Sequence, residues 1–295
     1  MTAATTAPTQ QVPGVYHRRI GDIVVTAISD GHLDGGLEVL RNIPEPEAQA
    51  MFTAAFRPGR RTQVNAFLIH SAGRLALVDT GSGDHLGPTA GWMFRNLAAA
   101  GVDLARIEKV LLTHMHPDHS AGLSDPKTGA RFFPNAELAV NENEPRHWSD
   151  DGAMARASER HKLMYFQLGR AQTAPYRDRM VPVTDREVFP GVTAVPLHGH
   201  TPGHTGYLVS SGKESLLIWG DIVHVPEIQP QRPEVCMEFD TDAQAAAAMR
   251  RKTFDMVATD RLLVAGMHLH FPAFCHLERR GSGYAIVPEQ WSNAM

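Results

Sequence analysis

Within seven residues, Thr113-His114-Met115-His116-Pro117-Asp118-His119, the chain sets three imidazoles and one carboxylate. An apolar run, residues 110–112, leads into this stretch, and Ser120-Ala121-Gly122 leads out of it. Side chains alternate between the faces of a strand, so His114 and His116 project to the same side. Asp118 and His119 then fall on the turn beyond the strand end. Such a stretch fills parts of two neighbouring metal positions without help from distant residues. Imidazole together with carboxylate suits zinc and its first-row neighbours. A polar strand end whose histidines merely face water is the bland alternative. It leaves unexplained why ligand type and spacing agree.

A chain of 295 residues has room for one large domain or two small ones. Its hydrophobic content of 43% allows a sizeable core. The net charge of −4 and the lack of a basic stripe argue against nucleic acid or an anionic membrane as partner. No apolar run approaches the ~20 residues of a membrane span. Residues 1–13 lack the basic start and apolar segment of a secretory signal. They read as a flexible tail on a cytoplasmic protein, with 14–295 as one domain. Cys236 and Cys275 are too few for a disulfide scaffold, and neither has a cysteine partner at zinc-ligand spacing. The 16 histidines, by contrast, are clustered.

Strands are expected at 16–29, closed by a turn at Asp30-Gly31, and at 64–69 and 74–78 as a hairpin. Further strands are expected at 107–112, within 131–140, and at 192–197, 207–209, 216–219, 262–265 and 283–287. Helices are expected at 45–55, 88–100, 154–172 and 241–259, the last capped by Asp240 or Thr241. Polar groups recur at strand ends: Asp79, His114, His204, Asp221 and His268. A layered α/β domain gathers distant residues into one site in this way. The halves 14–140 and 190–288 each read as sheet plus helix, which fits an internally duplicated sandwich.

Asp79, at a strand end before Gly81, reads as support for the metal loop. In His198-Gly199-His200-Thr201-Pro202-Gly203-His204 the glycines and proline make a tight loop. That loop is expected to bring its last histidine over the strand end, with His198 and His200 bracing it. The segment 163–168 reads as core that in part lines a substrate pocket, together with Phe67 and Phe271. His147, Trp148 and His161 read as surface or packing residues.

Asp79, the His-x-His-x-Asp-His run, His204 in Pro-Gly-His-Thr, Asp221 in Gly-Asp and His268 in Gly-Met-His together resemble the metallo-β-lactamase superfamily, over roughly residues 20–288. The resemblance implies an α/β fold, an αββα sandwich of two mixed β-sheets flanked by helices. It implies two divalent metal ions per chain, zinc first, with manganese, cobalt or iron also suited to the ligands. By the same resemblance His114, His116 and His204 hold one ion, Asp118, His119 and His268 hold the other, and Asp221 bridges them.

Gly220-Asp221-Ile222-Val223-His224, His268-Leu269-His270-Phe271-Pro272 and the closing Gly281-Ser282-Gly283-Tyr284 are similar to the methyl parathion hydrolase branch. That branch contains phosphotriesterases and N-acyl-homoserine lactonases, and its members look like homodimers. Typical lactonases carry tyrosine three residues after the bridging aspartate, where this chain has His224. Family β-lactamases carry cysteine or serine where it has Asp221.

The resemblance thus implies a binuclear hydrolase of small-molecule lactones, esters or phosphotriesters, using a hydroxide shared by metals ~3.5–4 Å apart. Asp118 and His224 are the catalytic candidates: Asp118 for proton transfer, His224 as proton donor or substrate contact. A β-lactamase and a di-iron redox protein of the same fold are the competing readings.

Overall fold

A computed structural model of the chain describes residues 7–295. Of the expected tail, residues 1–6 lie outside the described residues, and 7–13 form neither strand nor helix. In chain order the strands are β1 (Val15–Ile20), β2 (Ile23–Gly35), β3 (Leu40–Arg41), β4 (Arg60–Ser71), β5 (Arg74–Val78), β6 (Ile107–Leu111), β7 (Glu137–Val140), β8 (Met180–Pro182), β9 (Glu187–Phe189), β10 (Val192–Pro196), β11 (Thr205–Ser211), β12 (Glu214–Ile218), β13 (Cys236–Met237), β14 (Leu263–Ala265), β15 (Phe274–Arg280) and β16 (Gly283–Pro288). One sheet runs β1-β2-β4-β5-β6-β7-β8, and the other runs β16-β15-β14-β12-β11-β10-β9. β3 and β13 pair apart from both.

Both sheets are mixed. In the first, β4 meets β5 antiparallel, and β5, β6, β7 and β8 are parallel. In the second, β11 meets β12 antiparallel, and β12 is parallel to β14. Side-chain alternation sorts the core into layers. Phe67 and Ile69 of β4 face the second sheet, packing in one cluster with Tyr207, Val209 and Leu217. Ala66 and Leu68 face the other way, under Met93 and Leu97 of the helix Met93–Ala99. On the far side, Phe254 and Val257 of the helix Ala243–Thr259 cover the second sheet. The expected αββα sandwich is the fold observed.

Local differences have local causes. Asp30-Gly31 is no closing turn but a bulge inside β2, where the register shifts and Gly31 adopts φ +110°. A side chain there would run into the Thr89 carbonyl. The helix expected from residue 88 starts only at Met93, because Gly87 and Gly91 hold positive φ. The helix expected over 154–172 is broken. Asp151–Arg156 ends at an extended Ala157, and Ser158 restarts the chain by accepting the His161 amide. Residues Lys162–Gln167 then form a π-turn before Leu168–Thr173. Asp242, not Asp240 or Thr241, caps the helix Ala243–Thr259, accepting from the Ala245 amide at 2.9 Å. No helix among the described residues is long and apolar enough to cross a membrane.

Candidate metal centre

Four strand ends aim at one point between the sheets. β5 ends in Asp79, which adopts φ +60° and is fully buried. Its carboxylate accepts from the Thr113 amide at 2.7 Å and the Thr113 hydroxyl at 2.8 Å, so it holds the end of β6 where His114 departs. Pro117 opens a short helix, Pro117–Ser120, that turns Asp118 and His119 back over that strand end. β12 leads through Trp219 and Gly220 into Asp221, and β14 leads through Gly266 and Met267 into His268.

The donors converge in two sets. His200 Nε2 lies 3.2 Å from His114 Nε2 and 3.0 Å from His116 Nδ1. Asp118 Oδ2 lies 3.6 Å from His119 Nε2 and 3.4 Å from His268 Nε2. Asp221 Oδ2 stands between the sets, 3.6 Å from His114 Nε2, 3.3 Å from His200, 3.2 Å from His119 and 3.1 Å from His268. All are buried except Asp118, whose side chain is 17% exposed. His119 Nε2 and Asp221 Oδ1 are buried without a hydrogen-bond partner. Imidazole nitrogens that face one another at such distances repel unless a cation or proton lies between them. The donor set and its orphaned atoms therefore fit divalent metal ions.

The far nitrogen of most of these rings is tied down, which fixes which nitrogen faces the centre. His119 Nδ1 donates to Asp79 at 2.7 Å, His200 Nδ1 to Asp240 at 2.7 Å, and His268 Nδ1 to the Gln63 carbonyl at 2.6 Å. The Thr113 hydroxyl gives its proton to Asp79, so it accepts from His114 Nδ1 at 3.0 Å. Burial, helped by the charge of His119, pushes His114 well below the ordinary imidazole range; burial and His200 do the same to His116. Burial opposes charge on His119 too, but Asp221, Asp118 and Asp79 outweigh it and raise its pKa well above that range. His200 rises to about 9 against burial, through Asp221 and Asp240. Burial opposes ionisation of Asp221, yet the histidines around it hold its carboxyl well below the usual range.

His204, expected as a ligand, stands outside this cluster. The Leu197 amide donates to the His204 carbonyl at 2.9 Å, which sets His204 at the root of β11 and leaves His200 at the tip of the loop. His204 Nδ1 donates to the Leu197 carbonyl at 2.8 Å, and Nε2 accepts the Asp221 amide at 2.9 Å. Neither nitrogen is free for a metal. The two histidines have exchanged the expected parts: His204 braces, and His200 aims inward. His224 Nε2 lies 3.0 Å from Asp221 Oδ2, and its ring stacks on His268. Burial lowers its pKa to about 4. His270 is turned outward onto Glu227 at 2.9 Å.

Two acids had no sequence signal. Asp240 orients His200. Glu144, fully buried, accepts from the Met115 amide at 2.9 Å, the Gly203 amide at 2.8 Å and Trp148 Nε1 at 2.8 Å. It thereby joins the two histidine loops. Each is a single acid with no characteristic spacing around it. Beside His116 opens a cavity of about 150 Å³ whose lining includes Trp148, Tyr165, Phe166 and Phe239. Trp148 and part of the segment 163–168 therefore line the mouth. Phe67 does not: it is buried between the sheets, edge-on to Phe274.

Residues 59–268 match the family model of the metallo-beta-lactamase superfamily. A solved hydrolase of the β-lactamase superfamily, AbOPH, is similar at 31% identity and TM-score 0.89, over 96% of this chain and 100% of that one. AidC, a dizinc quorum-quenching lactonase, shares the fold at TM-score 0.88 and 24% identity, over 95% of this chain and 99% of that one. A probable metallo-hydrolase of Mycobacterium bovis is 28% identical over 187 residues, 53% of this chain and 56% of its own length. The chain spans about half the length of the curated relatives it matches.

Proposed function

The chain belongs to the metallo-β-lactamase superfamily, and on that premise we propose that it is a binuclear metal-dependent hydrolase of small-molecule lactones, esters or phosphotriesters. The observation that carries this is the pair of donor sets meeting at Asp221. His114, His116 and His200 would hold one ion, Asp118, His119 and His268 the other, and Asp221 both. Zinc suits this mixture of imidazole and carboxylate. When bound, such a pair lowers the pKa of water toward ~7 and polarises an acyl or phosphoryl oxygen.

The chain's own groups supply the rest. Asp79, Asp240, Thr113 and the Gln63 carbonyl keep the rings in one tautomer and orientation. Asp118, the donor most open to solvent, is placed to take a proton during turnover. His224 lies beside Asp221 at the floor, within reach of whatever is held there. Trp148, Tyr165, Phe166 and Phe239 give the mouth aromatic surface, and His147, His161 and Glu238 give it polar surface. Its cavity is close to the ~150 Å³ that holds one benzene ring in an engineered protein, so an aryl or short acyl group fits it. A lactonase among the fold neighbours agrees with a leaving group that departs as oxygen. A homodimer completes the picture, on the similarity to the methyl parathion hydrolase branch.

The test is metal analysis followed by a hydrolysis panel on one preparation. Two metals per chain are expected. Lactone, aryl ester or phosphotriester turnover should exceed penicillin turnover by ~100-fold or more in kcat/KM, a barrier difference of about 2.7 kcal/mol. One metal or none at saturation, or equal cleavage of penicillin, would overturn the assignment.

A further inference from the structure

We propose that Tyr165 is a catalytic residue of this centre, its hydroxyl donating a hydrogen bond to a substrate oxygen as that oxygen gains negative charge. This rests on the hydrolase function proposed above and adds a donor that neither the metal ligands nor His224 supplies.

The first observation is a hydroxyl without a protein partner. The chain has five tyrosines. Among the described residues, four have a hydroxyl partner: Tyr207 donates to the Leu112 carbonyl at 2.6 Å, Tyr176 to the Leu123 carbonyl at 3.1 Å, Tyr284 pairs with Asp255, and Tyr16 accepts the Ser292 amide at 3.4 Å. Tyr165, half-buried, has none. Buried tyrosine hydroxyls find a partner within the protein, and half-exposed ones are met by water. One without a partner at the mouth of a site is placed for a partner that arrives with the ligand.

The second observation is where the ring sits. Its ring lies over His116, with centroids 4.6 Å apart, and is flanked by His161 at 5.0 Å and Trp148 at 6.1 Å. The charges that act on it are Asp118, Arg160, Glu238 and Arg60, the first of these a donor of the metal centre. The third observation is the backbone. Tyr165 sits inside the π-turn Lys162–Gln167. Such turns insert an extra residue into a helix and are found often at functional sites. His224 is already engaged, its Nε2 3.0 Å from Asp221 Oδ2.

Tyr165→Phe removes the hydroxyl and keeps the ring. In metal-replete protein, kcat for a lactone or a 4-nitrophenyl ester is expected to fall ~100-fold, as for loss of one oxyanion donor, with KM within about twofold. Hexanoate, a product-like carboxylate, should bind ~10-fold more weakly to the variant in calorimetry, as for loss of one hydrogen bond to a charged group. Metal content and Tm should match the parent. Unchanged kcat and unchanged hexanoate affinity would overturn the assignment, and so would a variant that loses metal or Tm, since Tyr165 would then be structural. A parent protein that hydrolyses nothing on the panel sinks the hydrolase function alone, because the hexanoate comparison still judges Tyr165 separately. A parent that neither hydrolyses nor binds hexanoate sinks both.

Discussion

At the scale of single residues, the division of labour between His200 and His204 decides the metal assignment. His200 presents Nε2 to His114 and His116 and is steadied by Asp240. His204 spends both nitrogens on the Leu197 carbonyl and the Asp221 amide. His200→Ala should therefore lose one metal and nearly all turnover while remaining folded. His204→Ala should keep both metals at saturation but destabilise the protein by about 1–3 kcal/mol, because a buried carbonyl and a buried amide lose their partner. Metal content and denaturant midpoints of the two variants check this, and the reverse pattern would restore His204 as the ligand. Asp240→Asn should sit between them, weakening metal affinity ~10–100-fold through the ring it orients.

At the scale of elements, the centre depends on loops that are fastened to each other. Glu144 joins the loop of His114 and His116 to the loop of His200 through two backbone amides. Glu144→Gln leaves one acceptor oxygen and turns an NH2 group toward amide donors, so a loss of about 1–3 kcal/mol is expected, with weaker metal retention. A variant as stable and as metal-rich as the parent in thermal melts and elemental analysis would show that the clamp is dispensable. The strand ends that carry ligands were legible in the sequence because each is a local pattern, an apolar run followed by His, Asp or Gly. The choice between His200 and His204 was not legible. It turns on the pairing of Leu197 with His204 and of Thr205 with Thr113, contacts between distant segments. β15 escaped notice because its second half, Glu278 to Arg280, is charged and exposed. Glu144 and Asp240 carry no motif, and the broken helix over 151–173 follows from Ser158, which looks like any other polar residue in a helical stretch.

At the scale of the molecule, the two sheets make matching contributions. In each, the second strand of a hairpin ends in an aspartate, Asp79 after β5 and Asp221 after β12. The parallel neighbour of that strand ends in histidine, His114 after β6 and His268 after β14. The centre therefore spans the seam, and Asn65 of the first sheet ties the same seam by donating to the Met267 and Leu269 carbonyls at 2.9 and 2.8 Å. Metal binding should couple to global stability. Stripping metals with a chelator is expected to lower Tm by about 5–10 °C, as for loss of a ligand present at 100 times its Kd, and added zinc should restore it. A melt indifferent to the chelator, with metal loss verified, would contradict a centre that holds the sheets together.

The mouth has a different origin from the centre. Trp148, Tyr165 and Phe166 belong to the helical stretch between β7 and β8, and Phe239 follows the short β13. None of these residues lies on a strand that ends in a metal donor. Appetite and metal binding are thus written in separate passages of the chain. Exchanging the 151–173 passage for another of similar length, with a tyrosine kept at 165, would change which molecules are admitted while leaving the metal-holding strand ends as they stand, and a lineage can explore new diets without rebuilding its centre.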